Sequence, residues 1–136
     1  MVIHPRLPKV FERQGFEAFI LVLPAATLVR QWGDASVAKV GGKIFAIFGG
    51  VTGNPAGLSF KCSDLTFEML PQLDGITPAP YLARAKWVAV GEASALTLDE
   101  VAAYLVEAHR LVAMRLPRRR KLELGLEAFT ARPDTF

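Results

Sequence analysis

The chain has 136 residues, 51% of them hydrophobic and 21% charged. That balance excludes a disordered chain and fits one globular domain whose core needs neither disulfides nor metals. Its one cysteine, Cys62, excludes an internal disulfide and a thiolate zinc site, and points to a reducing, cytoplasmic setting. The first ten residues lack the apolar run of a signal peptide. The longest apolar stretch, Phe16 to Leu28, is interrupted by Glu17, Pro24 and Thr27, so neither a leader nor a membrane partner is expected.

The net charge is +3, but it is unevenly spread. Arg110, Arg115, Arg118, Arg119, Arg120 and Lys121 fall in one acid-free segment, while acids outnumber bases over the rest of the chain. A local patch of this kind attracts a polyanion even on a nearly neutral protein.

Val10, Phe11, Gln14, Ala18, Leu21 and Val22 recur at helical spacing and predict an amphipathic helix over Pro8 to Leu23, closed by Pro24. Thr27 to Trp32 is β-rich and ends at Gly33-Asp34. Two short runs follow, Ser36 to Val40 and Lys43 to Phe48, joined by Gly41-Gly42, a strong hairpin signal because primed turns need positive φ. That register sets Val40 opposite Lys43 and Lys39 opposite Ile44. Lys39 and Lys43 then emerge on opposite faces of the ribbon unless a bulge intervenes.

Gly49 to Gly57 reads as a loop and Leu58 to Cys62 as a strand with Leu58, Phe60 and Cys62 on one face. Ser63 or Asp64 suits the N-cap of a helix over Leu65 to Leu70. Asp74 to Pro80 is turn-rich, Tyr81 to Arg84 fits a single helical turn, and Lys86 to Val90 is the fifth strand. Thr97-Leu98-Asp99-Glu100 forms a capping box. It opens a helix whose apolar stripe is Val101, Leu105, Ala108, Leu111, Val112 and Leu116, and which Pro117 ends. A short terminal helix over Arg119 to Phe129 and a loose tail complete the chain. Short connections favour antiparallel pairing. The expected fold is α+β: a two-layer sandwich with a mostly antiparallel five-stranded sheet, the N- and C-terminal helices on one face, in a single domain with its core over residues 8–121.

Several stretches occur together in a characteristic order: Leu23-Pro24, Trp32-Gly33, Lys39-Val40-Gly41-Gly42-Lys43-Ile44-Phe45-Ala46, Leu58-Ser59-Phe60-Lys61, Gly75-Ile76-Thr77-Pro78-Ala79-Pro80-Tyr81-Leu82, Lys86-Trp87-Val88, and Leu111-Val112 with Leu116-Pro117-Arg118-Arg119. From Phe16 to Lys121 the chain resembles the MmcQ/YjbR family. The resemblance implies a sandwich similar to the bacterial frataxin homologue and a DNA-binding role through a double-wing arrangement of strand loops. Family members often carry Ser followed by an aromatic residue in the last long helix; here Ala108-His109 stands in that place.

The residues offer several sites, each with a plainer reading beside it. Arg118, Arg119, Arg120 and Lys121, with Arg110 and Arg115, suit phosphate contacts, since guanidinium groups bind phosphate bidentately; a solvated helix end has the same composition. Lys39, Lys43, Lys61 and Lys86 read as wing lysines or as ordinary strand lysines that block edge aggregation, and Lys43 and Lys61 match the family pattern. Trp32, Tyr81 and Trp87 suit either stacking on bases or, more commonly, anchoring a core. The Gly49 to Gly57 loop lacks the ending of a P-loop and suits a wing tip.

His4 and His109 stand far apart, and no His/Cys/Asp cluster has metal-ligand spacing. In a frataxin-like fold iron would need an acidic first helix, and this one has only Glu12 and Glu17, countered by Arg13. No metal and no cofactor is expected. Cys62 on its apolar strand face reads as a buried thiol rather than a nucleophile served by His109, and no enzyme is expected.

The functional expectation is a non-enzymatic DNA-binding protein that contacts phosphates through Lys43, Lys61, Arg110, Arg115, Arg118, Arg119, Arg120 and Lys121 with little sequence specificity. The alternative is a small-molecule or protein-interaction domain, with Pro78 to Tyr81 shaping a pocket against Trp32 or Trp87. Rings lining such a pocket above Lys43 or Lys61 favour that alternative.

Overall fold

The computed structural model describes residues 9–49, 57–91 and 94–130. In chain order these form α1 (Arg13–Leu21), β1 (Ala26–Gln31), β2 (Ala35–Val40), β3 (Lys43–Phe48), β4 (Leu58–Lys61), α2 (Asp64–Met69), β5 (Ile76–Pro78), β6 (Trp87–Val90), α3 (Leu98–Met114), α4 (Arg118–Glu123) and α5 (Glu127–Thr130). Single 3-10 turns cover Leu70–Gln72 and Ala83–Ala85. The strands form one antiparallel sheet in the order β1-β2-β3-β4-β6-β5.

The fold is α+β as the sequence predicts, with six strands in place of five. The extra strand, β5, lies in the segment whose composition reads as a turn. Three residues are too few to show alternation. Pro78 is tolerated because β5 is an edge strand, where a missing N–H leaves no ladder bond unmade.

The Gly41-Gly42 hairpin has the register the sequence predicts, Val40 opposite Lys43 and Lys39 opposite Ile44. Both glycines have positive φ, and a Cβ on Gly41 would lie 2.6 Å from a methyl carbon of Leu116. The turn is thereby held against the end of α3. A bulge follows: Ala38 pairs with Ala46, which leaves Phe45 as the extra residue. Phe45 and Ala46 both reach the main core. The bulge lies beyond Lys39 and Lys43, so the two lysines do emerge on opposite faces.

The helices cover one face of the sheet. Phe16 and Ile20 from α1, Val101, Leu105, Ala108, Val112 and Ala113 from α3, and Leu126 pack on Val40, Phe45, Phe48, Leu58, Phe60, Val88 and Val90. Each fully buried large side chain there contributes about 1.5–3 kcal/mol relative to exposure. The stripe predicted for α1 is rotated. Gln14, Ala18, Leu21 and Val22 are exposed, and the i, i+3, i+4 set Phe16, Phe19 and Ile20 is turned inward, because two phenyl rings bury more apolar area than Ala18 and Gln14. The helix also begins later than predicted, at Arg13, since Glu12 in the cap position makes no capping bond.

The opposite face is covered in part. Ala79 and Leu82, in the segment after β5, fold over Ala35, Val37, Ile44, Ile47, Trp87 and Ala89 to make a second, smaller cluster. The predicted capping box of α3 is complete: Glu100 N–H donates to Thr97 Oγ1 (3.1 Å) and Thr97 N–H to Glu100 Oε1 (2.9 Å). Ser63 caps α2. The terminal helix divides into α4 and α5 at Gly125 (φ 70°). Among the described residues no helix is long and apolar enough to cross a membrane.

Candidate functional site

Three chain reversals meet at one end of the sheet: the β2–β3 turn, the β4–α2 junction, and the segment leading into β6. The C-terminal end of α3 closes over them. A cavity of about 560 Å³ lies between, with Lys43, Lys61, Arg84, Lys86 and Arg115 among its lining residues and Asp64 as the one carboxylate among the described residues that line it.

Lys61 is nearly inaccessible, 8% exposed, because β4 is an inner strand flanked by β3 and β6. Its Nζ donates to the carbonyl of Ala85. Burial, and then the Arg115 guanidinium, lower the Lys61 pKa below the ordinary lysine value, while Asp64 acts in the opposite direction. The Lys86 ammonium lies 5.1 Å from the centre of the Phe67 ring, a cation–π contact. Lys43, Arg84 and Arg115 are exposed at the mouth. Among the described residues, one carboxylate against five cations leaves a field that favours an anion.

A second, apolar pocket of about 300 Å³ adjoins it. Trp32, Ile44, Ile47, Pro80, Tyr81, Leu82 and Trp87 line it, and Ile44 and Trp87 belong to both hollows. Trp87 is buried, as a core anchor should be. Trp32 and Tyr81 depart from the core reading: they are 49% and 95% exposed. Both also have left-handed backbone, φ 52° and 67°, as does Lys86 at φ 63°. Bulky residues rarely adopt that conformation, and such strain gathers at functional sites.

The structure divides the predicted phosphate-contacting set. Lys43, Lys61 and Arg115 come together in the cavity, with Arg84 and Lys86. Arg110 is elsewhere: it is 7% exposed, beside Glu107 (3.5 Å) and the Met114 thioether. Arg118 to Lys121 lie in the first part of α4, directly after Pro117 on the cavity wall. Arg118 lies 3.7 Å from Glu127, and Arg120 3.3 Å from Glu123. Lys39 is not among the cavity residues. Arg84 carries no signal in the sequence, since a lone arginine in a turn has no periodicity and becomes significant only when the chain folds back.

The remaining candidates have structural explanations. Cys62 is 3% exposed, and burial pushes its thiol up to about 12. His109 is fully buried between Phe45 and Phe129, its Nε2 2.7 Å from the Pro24 carbonyl. Burial lowers its pKa below the usual 6.5, against the pull of that hydrogen bond. Glu17 accepts from Ser36 Oγ (2.6 Å) and Arg30 Nε (3.0 Å), which hold its carboxyl below the usual range. Among the described residues no three His, Cys, Asp or Glu side chains gather as metal ligands. His4 and the Gly49 to Gly57 loop, apart from its two ends, lie outside the described residues.

A helix-backed antiparallel sheet with a cation-lined cavity at one end places the chain among small α+β sandwich domains. The chain belongs to the YjbR family, whose model matches residues 21–111. That span holds Lys43, Lys61, Arg84 and Lys86; Arg115 and the run after Pro117 lie beyond it. Among solved structures, protein DR2400 of Deinococcus radiodurans, with its DUF419 domain, has the same fold: TM-score 0.72 at 24% identity over 83% of this chain and 87% of that one. No curated protein matches the chain.

Proposed function

We propose that this protein is a non-enzymatic DNA-binding protein that holds backbone phosphates in the cation-lined cavity, with little sequence specificity. The observation that carries this reading is the convergence of Lys43, Lys61, Arg84, Lys86 and Arg115, from four separate chain segments, on one concave surface with a single carboxylate among the described residues. Cations exposed for solubility alone need not converge. Arg119, exposed in α4 next to the cavity wall, extends the same positive surface. The non-enzymatic part rests on the two groups best suited to nucleophile and base: the Cys62 thiol is held protonated by burial, and His109 is committed to Pro24.

A second reading, a small-molecule site, is favoured by one specific observation: the ring-lined pocket forms, and it shares Ile44 and Trp87 with the cavity that holds Lys43 and Lys61.

The test is titration of a fluorescent oligonucleotide at low salt with the wild-type protein and with Lys43→Gln/Arg115→Gln, both exposed positions whose replacement leaves the core intact. The expected result is binding by the wild type and a loss of roughly tenfold or more in the variant, since hydrogen bonds to charged groups contribute about 1.5–3 kcal/mol each. Equal affinity for the two proteins contradicts the assignment of the cavity.

A further inference from the structure

The cation cavity and the apolar pocket are continuous along Ile44 and Trp87, so a ligand that spans both must be anionic at one end and apolar and flat at the other. We propose that the pocket takes an unpaired base of a single strand whose phosphate occupies the cation cavity; this rests on the DNA-binding reading and makes the preferred ligand single-stranded.

Three observations carry it. The first is charge complementarity: among the described residues the apolar pocket has no charged lining residue, while its neighbour holds five cations, and backbone phosphate and base divide along that line. The second is the exposure of Trp32 and Tyr81. A ring that is 95% exposed adds nothing to the core, and here it stands at the rim of a pocket floored by Ile47 and Trp87. The third is backbone conformation. Of the five described non-glycine residues with positive φ, Trp32 and Tyr81 line the pocket and Lys86 the cavity, while Ala25 and Asp34 line neither; such conformations cluster at functional sites. Proteins that bind single strands without sequence preference combine these same parts, a positive groove for the backbone and aromatic faces for the bases. In a duplex each base is stacked and paired, and cannot enter such a pocket unless it is flipped out.

The probes are a short oligothymidylate, an abasic strand of the same length and charge, a duplex, and thymidine monophosphate. They are titrated against wild type, Trp32→Ala and Tyr81→Ala at one salt concentration, with folding of each variant checked by circular dichroism. The expected result is that the oligothymidylate binds roughly tenfold or more tightly than the abasic strand and the duplex. It should also quench the fluorescence of Trp32, and each ring variant should shrink its advantage over the abasic strand without weakening abasic binding. Equal binding of thymidylate and abasic strands, or tighter binding of the duplex, overturns the base pocket and leaves the phosphate site standing. Thymidine monophosphate binding as tightly as the strand overturns the strand as ligand. Failure of all four probes overturns the DNA-binding reading itself, and the base pocket with it.

Discussion

Lys61, Cys62 and His109 are buried polar or titratable side chains, and their surroundings assign them different tasks. The Lys61 ammonium is desolvated and faces Arg115, so its charge is costly until an anion arrives. Affinity for an anionic strand should therefore decline as pH rises, beginning below the ordinary lysine value of 10.5, and Lys61→Met should remove that early decline. Binding measured from pH 7 to 10 checks this; identical profiles for the two proteins would contradict it. Cys62 is predicted to be inert: an aromatic disulfide reagent at pH 8 should label it only after unfolding, and rapid labelling of the native chain would refute its burial. His109 sets a pH limit on stability. In the unfolded chain its imidazole titrates near 6.5 and in the folded protein lower, so as pH falls through that range the unfolded state takes up the proton more readily than the folded one. Its contribution is complete above pH 6.5 and is lost as pH falls. The thermal midpoint should drop between pH 7 and 5, and less so in His109→Leu. A variant with an unchanged pH dependence would place the effect elsewhere.

Among the elements, those whose determinants are local were legible and those set by tertiary contacts were not. The capping box of α3 and the Gly41-Gly42 hairpin are contained in four and two residues, and both formed as written. Thr97→Ala should cost about 1 kcal/mol in denaturant unfolding; no change would mean that packing of Val101 and Leu105 alone sets where the helix starts. The face of α1 was misread because spacing alone treats Ala18 and Gln14 as equal to Phe16 and Phe19, whereas the core selects by area. The strand β5 was missed because three residues, one of them a proline, show no alternation, and the strand forms by pairing with β6 and by burying Ile76 in the main core. The basic run was legible as composition, yet the acids that meet it, Glu123 and Glu127, come just after its end and fold back through α4 and α5. Exposed pairs of this kind contribute little stability. The Arg118/Arg119/Arg120→Ala triple variant should therefore stay folded and lose less affinity than Lys43→Gln/Arg115→Gln.

Across the whole molecule, the sequence carried the family pattern, the antiparallel sheet and most of the residues of the site, but not the site itself. Lys43, Lys61, Arg84, Lys86 and Arg115 have no common spacing. They meet because β4 and β6 are neighbours in the sheet, the β2–β3 turn rests on Leu116, and the end of α3 covers the same corner. The double-wing idea looks to the strand loops. Among the described residues, five cations gather at one corner of the sheet that includes the β2–β3 turn, with the aromatic pocket on the face that the main helices leave uncovered.

The most direct test is the salt dependence of oligothymidylate binding, compared between the wild type, the cavity double variant and the helix triple variant. For a single strand the slope of log K against log salt is about −0.7 per phosphate contact. Lys43→Gln/Arg115→Gln should flatten the slope by more than one such step, while Arg118/Arg119/Arg120→Ala should change it less. A slope untouched by the cavity variant, or lost mainly in the helix variant, would contradict the account and move the contact surface to α4.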